Sequence, residues 1–230
     1  MPPQIVCDFD GTIARDDVTD TLLERFALPE WRGIEGDWKA GRIGSRECMV
    51  RQVALLRATR RDIDRCLDDL AIDPAFPTFV AWARRLGAHL MVVSDGLDYA
   101  IRRILGRFGL DDLPIFANRL QMMGSDRYRL TFPHASHGCT KGSGTCKCRI
   151  ATTADRPRAL RILIGDGASD YCAATSVHLV LAKDKLLAHC RTNNLPHVAF
   201  TDFTEATRLL RGLLERRPAQ SPFPLEFQTE

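Results

Sequence analysis

The apolar run Ile5-Val6-Cys7 leads without a break into Asp8-Phe9-Asp10-Gly11-Thr12. A short run of this kind reads as a buried strand, and two carboxylates separated by one residue at its end point to the same side as the chain leaves it. Such a pair can hold a hard divalent cation on oxygen and leave one carboxylate oxygen free to attack. Gly11 lets the backbone turn without a Cβ clash, and the Thr12 hydroxyl is available to bond the turn. Two further strong runs, Leu90-Met91-Val92-Val93 and Ile162-Leu163-Ile164, also end in polar groups: Ser94 with Asp95, and Asp166. Weaker runs follow at Leu179-Val180-Leu181 and Val198-Ala199-Phe200, and helical periodicity separates the runs over 76–86, 99–108 and 204–214. The alternation predicts an α/β chain with a doubly wound parallel sheet covered on both faces. Ligands in such sheets bind outside the carboxyl ends of the strands, where these polar groups converge.

The chain of 230 residues is long enough for one large core with an insertion. The reading places the core at 1–13 and 74–217, a helical cap at 14–73 and a loosely held tail at 218–230. The cap rests on helical patterns over 17–26, 46–57 and 61–70, none of which reads as a strand. A second insert, 118–149, opens with a hairpin in which 120–123 and 128–131 flank the turn Gly124-Ser125-Asp126-Arg127. A net charge of only +3, with acidic residues interspersed, excludes a nucleic-acid stripe. No apolar stretch approaches the roughly 20 residues that span a bilayer. Met1-Pro2-Pro3-Gln4 carries neither a basic region nor an apolar core, so export is not expected. Eight cysteines in such a chain point to free thiols in a reducing cytoplasm. No feature fixes the oligomeric state.

These motifs, in this order, resemble those of the haloacid dehalogenase-like phosphatases. The resemblance covers nearly the whole chain. It implies Asp8 as nucleophile, Asp10 as general acid/base, Ser94 as the second motif, Lys147 as the third, and Gly165-Asp166-Gly167-Ala168-Ser169-Asp170 as the fourth. It also implies Mg²⁺ held by Asp8, Asp166 and the Asp10 backbone carbonyl, with Asp170 behind the metal, and a small phosphorylated metabolite as substrate. Taken alone, Asp8, Asp10 or Asp170 would be a turn former or helix cap, Ser94 an N-cap and Lys147 a solvated charge. Lys141 and Arg149 are the other cations that an altered alignment would place in the third motif.

Two positions resemble substrate contacts of the phosphoserine phosphatase branch: Asp17 for an amino group and Arg51 for a carboxylate. Gly96 resembles the anion-binding glycine after the second motif. Within that branch, Phe132-Pro133-His134 followed by Cys139, Cys146, Lys147 and Cys148 resembles the insert of the methionine-salvage phosphatases. The stretches 181–187, 189–190 and 194–197 resemble that group as well. The implied substrate is then 2-hydroxy-3-keto-5-methylthiopentenyl-1-phosphate, with phosphoserine as the runner-up and a non-catalytic phospholigand-binding module as the contrasting class. Asp95 departs from the group's paired glycines; it either weakens anion binding or points away as a cap. Cys139, Cys146 and Cys148 with His134 or His137 leave zinc and free thiols both open.

Overall fold

The computed structural model describes residues 1–139, 142–152 and 158–215. Seven strands form one sheet: β1 (Gln4–Cys7), β2 (His89–Leu97), β3 (Ile115–Met122), β4 (Tyr128–Thr131), β5 (Arg161–Gly165), β6 (Leu179–Ala182) and β7 (His197–Ala199). Their order is β4-β3-β2-β1-β5-β6-β7, and every neighbouring pair is parallel except β3 with β4. This is the doubly wound α/β architecture expected from the apolar runs. From β1 the chain builds outward through β2 and β3, then crosses back to β5 on the other flank. The crevice where a ligand belongs in such a sheet therefore opens between β1 and its two neighbours.

Alternation along β1 shows why the strands are mainly apolar. Ile5 and Cys7 enter one core with Val92, Ile162 and Ile164, whereas Val6 enters the opposite core with Met91, Val93 and Leu163. Both faces are covered, so the strand positions are mainly apolar, and the buried Gln4 of β1 is bonded through its amide to Ala151 O at 3.3 Å. On the first face α5 (Phe76–Arg85) and α10 (Phe203–Leu214) meet through Phe76, Phe79 and Phe203, with ring centroids 4.8–6.2 Å apart. Truncating any one of these buried rings to alanine would cost about 3–5 kcal/mol. α6 (Asp98–Gly106) completes that layer; α7 (Lys147–Thr152), α8 (Tyr171–Ala174) and α9 (Asp184–Thr192) cover the other.

Between β1 and α5 lie four helices: α1 (Val18–Phe26), α2 (Trp31–Lys39), α3 (Ser45–Val53) and α4 (Arg60–Asp68). The sequence pattern gave three. α2 was missed because Gly33 and Gly36, at about 1 kcal/mol each relative to alanine, mask its propensity. The second difference concerns β3. The hairpin is present, pairing Arg119 with Thr131 and Met122 with Tyr128. However, its first strand starts at Ile115 and pairs Val92 with Ile115, so it belongs to the main sheet rather than opening an irregular insert. The proposed tail at 218–230 and the alternative cation Lys141 lie outside the described residues. Among the described residues no helix is long and apolar enough to cross a membrane.

Candidate active site

Asp8 continues the sheet for one residue, its N–H donating to Ile164 O at 2.9 Å, and it is only 4% exposed. Phe9 N donates to Asp8 Oδ1 at 2.7 Å, which holds the carboxylate at the strand end. The chain then wraps around the Phe9 carbonyl, which accepts from the amides of Thr12, Ile13 and Ala14 at 2.8–3.2 Å. Gly11 sits in the wrap with φ +67°, and a Cβ there would stand 2.5 Å from Asp166 Oδ2. Left-handed backbone and close approach both require glycine at this point. Thr12 Oγ1 donates to Asp166 Oδ1 at 2.7 Å, so the first turn also fixes a carboxylate of the next strand end.

Asp10 faces the cleft from the same turn. Its Oδ1 accepts from Val18 N at the start of α1 (2.9 Å), and its Oδ2 accepts from Ser94 Oγ (3.2 Å). Ser94 Oγ in turn accepts from Gly96 N at 2.8 Å. A Cβ on Gly96 would lie 2.4 Å from Asp10 Oδ2, so the backbone here has the closeness that only glycine permits. Burial, and next the charge of Asp17, pushes the Asp10 carboxyl up to about 7, against its bonds from Val18 and Ser94. That value suits a group that exchanges protons near neutrality.

Lys147 begins α7 and is buried, its side chain 1% exposed. Its Nζ lies 2.7 Å from Asp8 Oδ2 and 2.7 Å from Asp170 Oδ1, and it donates to Ser169 Oγ at 2.9 Å. Burial works to lower the ammonium pKa. The charges of Asp170 and Asp8, with their hydrogen bonds, outweigh it and hold the pKa above the usual lysine range. Burial, and then the charge of Asp170, raises Asp8; burial is also the main cause of the rise at Asp166. A Cβ on Gly165 would stand 2.4 Å from Asp170 Oδ2, so the last strand end also depends on a missing side chain.

One oxygen from each of Asp8, Asp166 and Asp170 falls within 4.8 Å of the others. Lys147 contacts two of these three carboxylates and, among the described residues, no ion pair reaches Asp166, an imbalance that a small divalent cation on oxygen ligands would relieve. The donor set therefore fits the expected metal. Cys146 and Cys148 approach to an Sγ–Sγ distance of 3.4 Å and the Cys172 thiol hydrogen-bonds to Cys148, but among the described residues these thiols form no group of three ligand atoms that all lie within 4.8 Å of one another. None of the eight cysteines, all of them described, is in a disulfide.

A cleft of about 520 Å³ joins Asp8, Asp10, Ser94 and Asp166 to α1, α2 and α3. Asp17 lines it while capping α1, its Oδ1 accepting from Asp20 N at 2.9 Å. Arg51 is not brought there. Ser45, Cys48, Met49 and Gln52 form the stripe of α3 that lines the cleft, a spacing of three, four and seven that one helix face provides. Arg51 falls off that stripe, 3.5 Å from Glu47 with its side chain 46% exposed. Sequence reasoning missed Gln52, which is 3% exposed and donates to Glu35 Oε2 of α2 at 2.9 Å. The signal was the α3 stripe itself, invisible until the helix start at Ser45 set its phase.

A model of the haloacid dehalogenase-like hydrolases matches residues 5–175. The chain is 34% identical over 218 residues to the 2-hydroxy-3-keto-5-methylthiopentenyl-1-phosphate phosphatase of Geobacillus thermodenitrificans, covering 93% of this chain and 98% of that protein. It is 33% identical over 210 residues to the protein of the same name from Brevibacillus brevis, covering 90% and 94%. Among solved structures it is similar to a phospho-aspartyl intermediate analogue of phosphoserine phosphatase, with TM-score 0.69 at 19% identity over 90% of this chain and 98% of that one. A substrate-bound phosphoserine phosphatase gives TM-score 0.69 at 19% identity, covering 91% and 98%. At that identity the likeness shows the fold alone. The family match runs from β1 past the turn that carries Asp166 and Asp170, so it takes in every carboxylate around Lys147, and the chain belongs to the haloacid dehalogenase-like hydrolase family.

Proposed function

We propose that the chain is a Mg²⁺-dependent phosphomonoesterase that works through an aspartyl-phosphate on Asp8, with α1–α4 as its cap. The observation that carries this reading is the pairing of two unlike carboxyl groups two residues apart. Asp8 is locked against Lys147 at 2.7 Å, whereas Asp10 is held by Ser94 and Val18 with its pKa near 7. In the proposed reaction an Asp8 oxygen attacks phosphorus and the bond to the ester oxygen breaks. Asp10 gives its proton to that leaving oxygen. It then takes a proton from the water that attacks the aspartyl-phosphate, which frees Asp8 and inorganic phosphate. Lys147 holds the nucleophile in place and offsets charge at the phosphoryl group. Ser94 orients Asp10 through the bond its hydroxyl donates to Oδ2 and is itself fixed by the Gly96 amide; when substrate binds and Asp10 is protonated, the hydroxyl is free to turn to a phosphoryl oxygen. Mg²⁺ held by the carboxylates of Asp8 and Asp166 and the Asp10 carbonyl, with Asp170 behind, would supply the charge neutralisation that an anionic nucleophile needs to approach an anionic ester.

For the substrate we propose 2-hydroxy-3-keto-5-methylthiopentenyl-1-phosphate, in methionine salvage in the cytoplasm. Support comes from the named relatives, which the chain matches over nearly its full length, and from the cap wall. Asp17, Asp20 and Glu35 make that wall acidic, and Arg51 does not line it. An organic group bearing a carboxylate finds no cap cation there among the described residues, whereas an uncharged group meets Trp38, Met49 and Gln52. This disfavours phosphoserine. A binding module without catalysis has no use for both a nucleophile and a proton carrier. Phosphate release should be measured with the salvage ester, phosphoserine and an aryl phosphate. Mg²⁺-dependent release that is fastest with the salvage ester supports the reading. Release unaffected by EDTA, or a preference for phosphoserine, contradicts it.

A further inference from the structure

The sequence left Asp95 with two readings, a charge that weakens anion binding or a helix cap. The structure gives it neither role. Asp95 Oδ2 accepts from Ser45 Oγ at 2.7 Å, at the first residue of α3. Its Oδ1 accepts from Thr145 N at 2.9 Å and from Asn118 Nδ2 at 3.1 Å, and its main-chain oxygen accepts from Asn118 Nδ2 at 2.6 Å. One carboxylate, placed between Ser94 and Gly96, thus collects donors from the cap, from β3 and from the segment that leads into Lys147. Three donors around an acceptor with about four lone-pair positions leave little bare charge toward a phosphoryl group.

We propose that Asp95 is a positioning residue that couples the seating of α3 to the placement of Lys147; its catalytic consequence rests on the phosphatase reading. The path between the two ends is tight. Thr145 is 1% exposed and its Oγ1 donates to Asn118 Oδ1 at 3.1 Å; Asn118 is fully buried. A Cβ on Gly144 would stand 2.4 Å from Asn118 Oδ1 and 2.5 Å from the Phe132 ring, so the loop is pressed against both. Cys146 N donates to His134 O at 3.0 Å, and Lys147 follows directly. A second tie joins the same segments independently: Arg46 N donates to Gly142 O at 3.2 Å, and its guanidinium donates to Ser143 O at 3.2 Å. Met49 and Gln52 line the cleft from the helix that Ser45 begins. A ligand that seats α3 therefore bears, through Ser45 and Asp95, on the main chain two residues before the buried ammonium. Neighbouring groups that share one hydrogen-bonded network behave non-additively on substitution, which makes the coupling measurable.

The test uses the full-length protein and its Ser45→Ala, Asp95→Ala and doubly substituted forms, with Glu47→Gln on the outer face of α3 as control. Amide hydrogen exchange read by mass spectrometry should quicken in peptides covering 142–152 on Ser45→Ala, although that change lies on the cap. Asp95→Ala should quicken the same peptides further, the double form should match Asp95→Ala, and the control should match the wild type. With p-nitrophenyl phosphate and Mg²⁺, kcat should fall about threefold in Ser45→Ala and about tenfold in Asp95→Ala, a fraction of the full worth of hydrogen bonds to a charged group because the Arg46 tie remains. The double form should again equal Asp95→Ala, with KM moving less than kcat. Unchanged exchange over 142–152 in Ser45→Ala, or losses in kcat that multiply in the double form, would overturn the proposal. A wild type that does not hydrolyse the ester defeats the phosphatase reading instead, and the exchange data then decide the coupling alone.

Discussion

The strand ends of the sheet and the cap face above them are built to different tolerances. At the strand ends Asp8, Lys147 and Asp170 are 4%, 1% and 0% exposed, each with partners within 2.7 Å. Missing side chains at Gly11, Gly96 and Gly165 let the carboxylates approach to distances that any Cβ would close. On the cap, Asp17 bonds only within its own helical turn, to Thr19, Asp20 and Thr21, Ser45 Oγ donates to Asp95, and Arg51 on the same helix as Ser45 makes an exposed pair with Glu47. The difference teaches where chemistry and choice of substrate are kept. In the proposed mechanism the two carboxyl groups are kept in unlike protonation states by packing, while the cap face proposed to meet the organic group carries no comparably close-packed carboxylates.

Substitutions at the strand ends should therefore cost far more than those on the cap, and the ranking can be broken at each step. The largest effect belongs to Asp8→Asn, which removes the nucleophile and should lower kcat by about 10⁴-fold or more, on the scale of losing a covalent catalytic group. Asp10→Asn should lower kcat by about 10²–10⁴-fold, the usual worth of general acid/base catalysis, while binding of a phosphate analogue such as vanadate is kept. Equal loss of both would mean that Asp10 serves the ligand rather than the proton. Gly96→Ala puts a methyl 2.4 Å from Asp10 Oδ2. Thermal unfolding should show a loss of about 1–3 kcal/mol from this overpacking, with turnover falling as well. Arg51→Ala should be the mildest, changing stability by no more than about 0.5 kcal/mol, as for an ordinary surface site, and leaving KM for the salvage ester unchanged. A selective rise in KM for phosphoserine would bring Arg51 back as a carboxylate contact and erase the contrast between its two helix faces.

The same contrast explains what could be read beforehand. Ile5-Val6-Cys7 and its counterparts were legible because strands buried on both faces are mainly apolar, so the polar groups at their carboxyl ends stand out. The family resemblance then supplied the roles of Asp8, Asp10, Ser94, Lys147 and Asp166, and the structure gathers all five around one cleft or its floor. Arg51 could not be placed in the same way. Its direction depends on the phase of α3, which begins at Ser45 and ends at Val53, whereas the pattern was read over 46–57. α2 was hidden by its glycines, and with it went Glu35 and the partner of Gln52. The function of Asp95 was out of reach because its donors come from positions 45, 118 and 145, and no local pattern announces such a junction.

The most direct test of the central claim is mass spectrometry of peptides from protein quenched in acid during turnover of the salvage ester with Mg²⁺. A phosphoryl adduct should appear only in the peptide that carries Asp8 and should disappear, together with turnover, in Asp8→Asn. An adduct on another residue, or full turnover by Asp8→Asn, would contradict the claim.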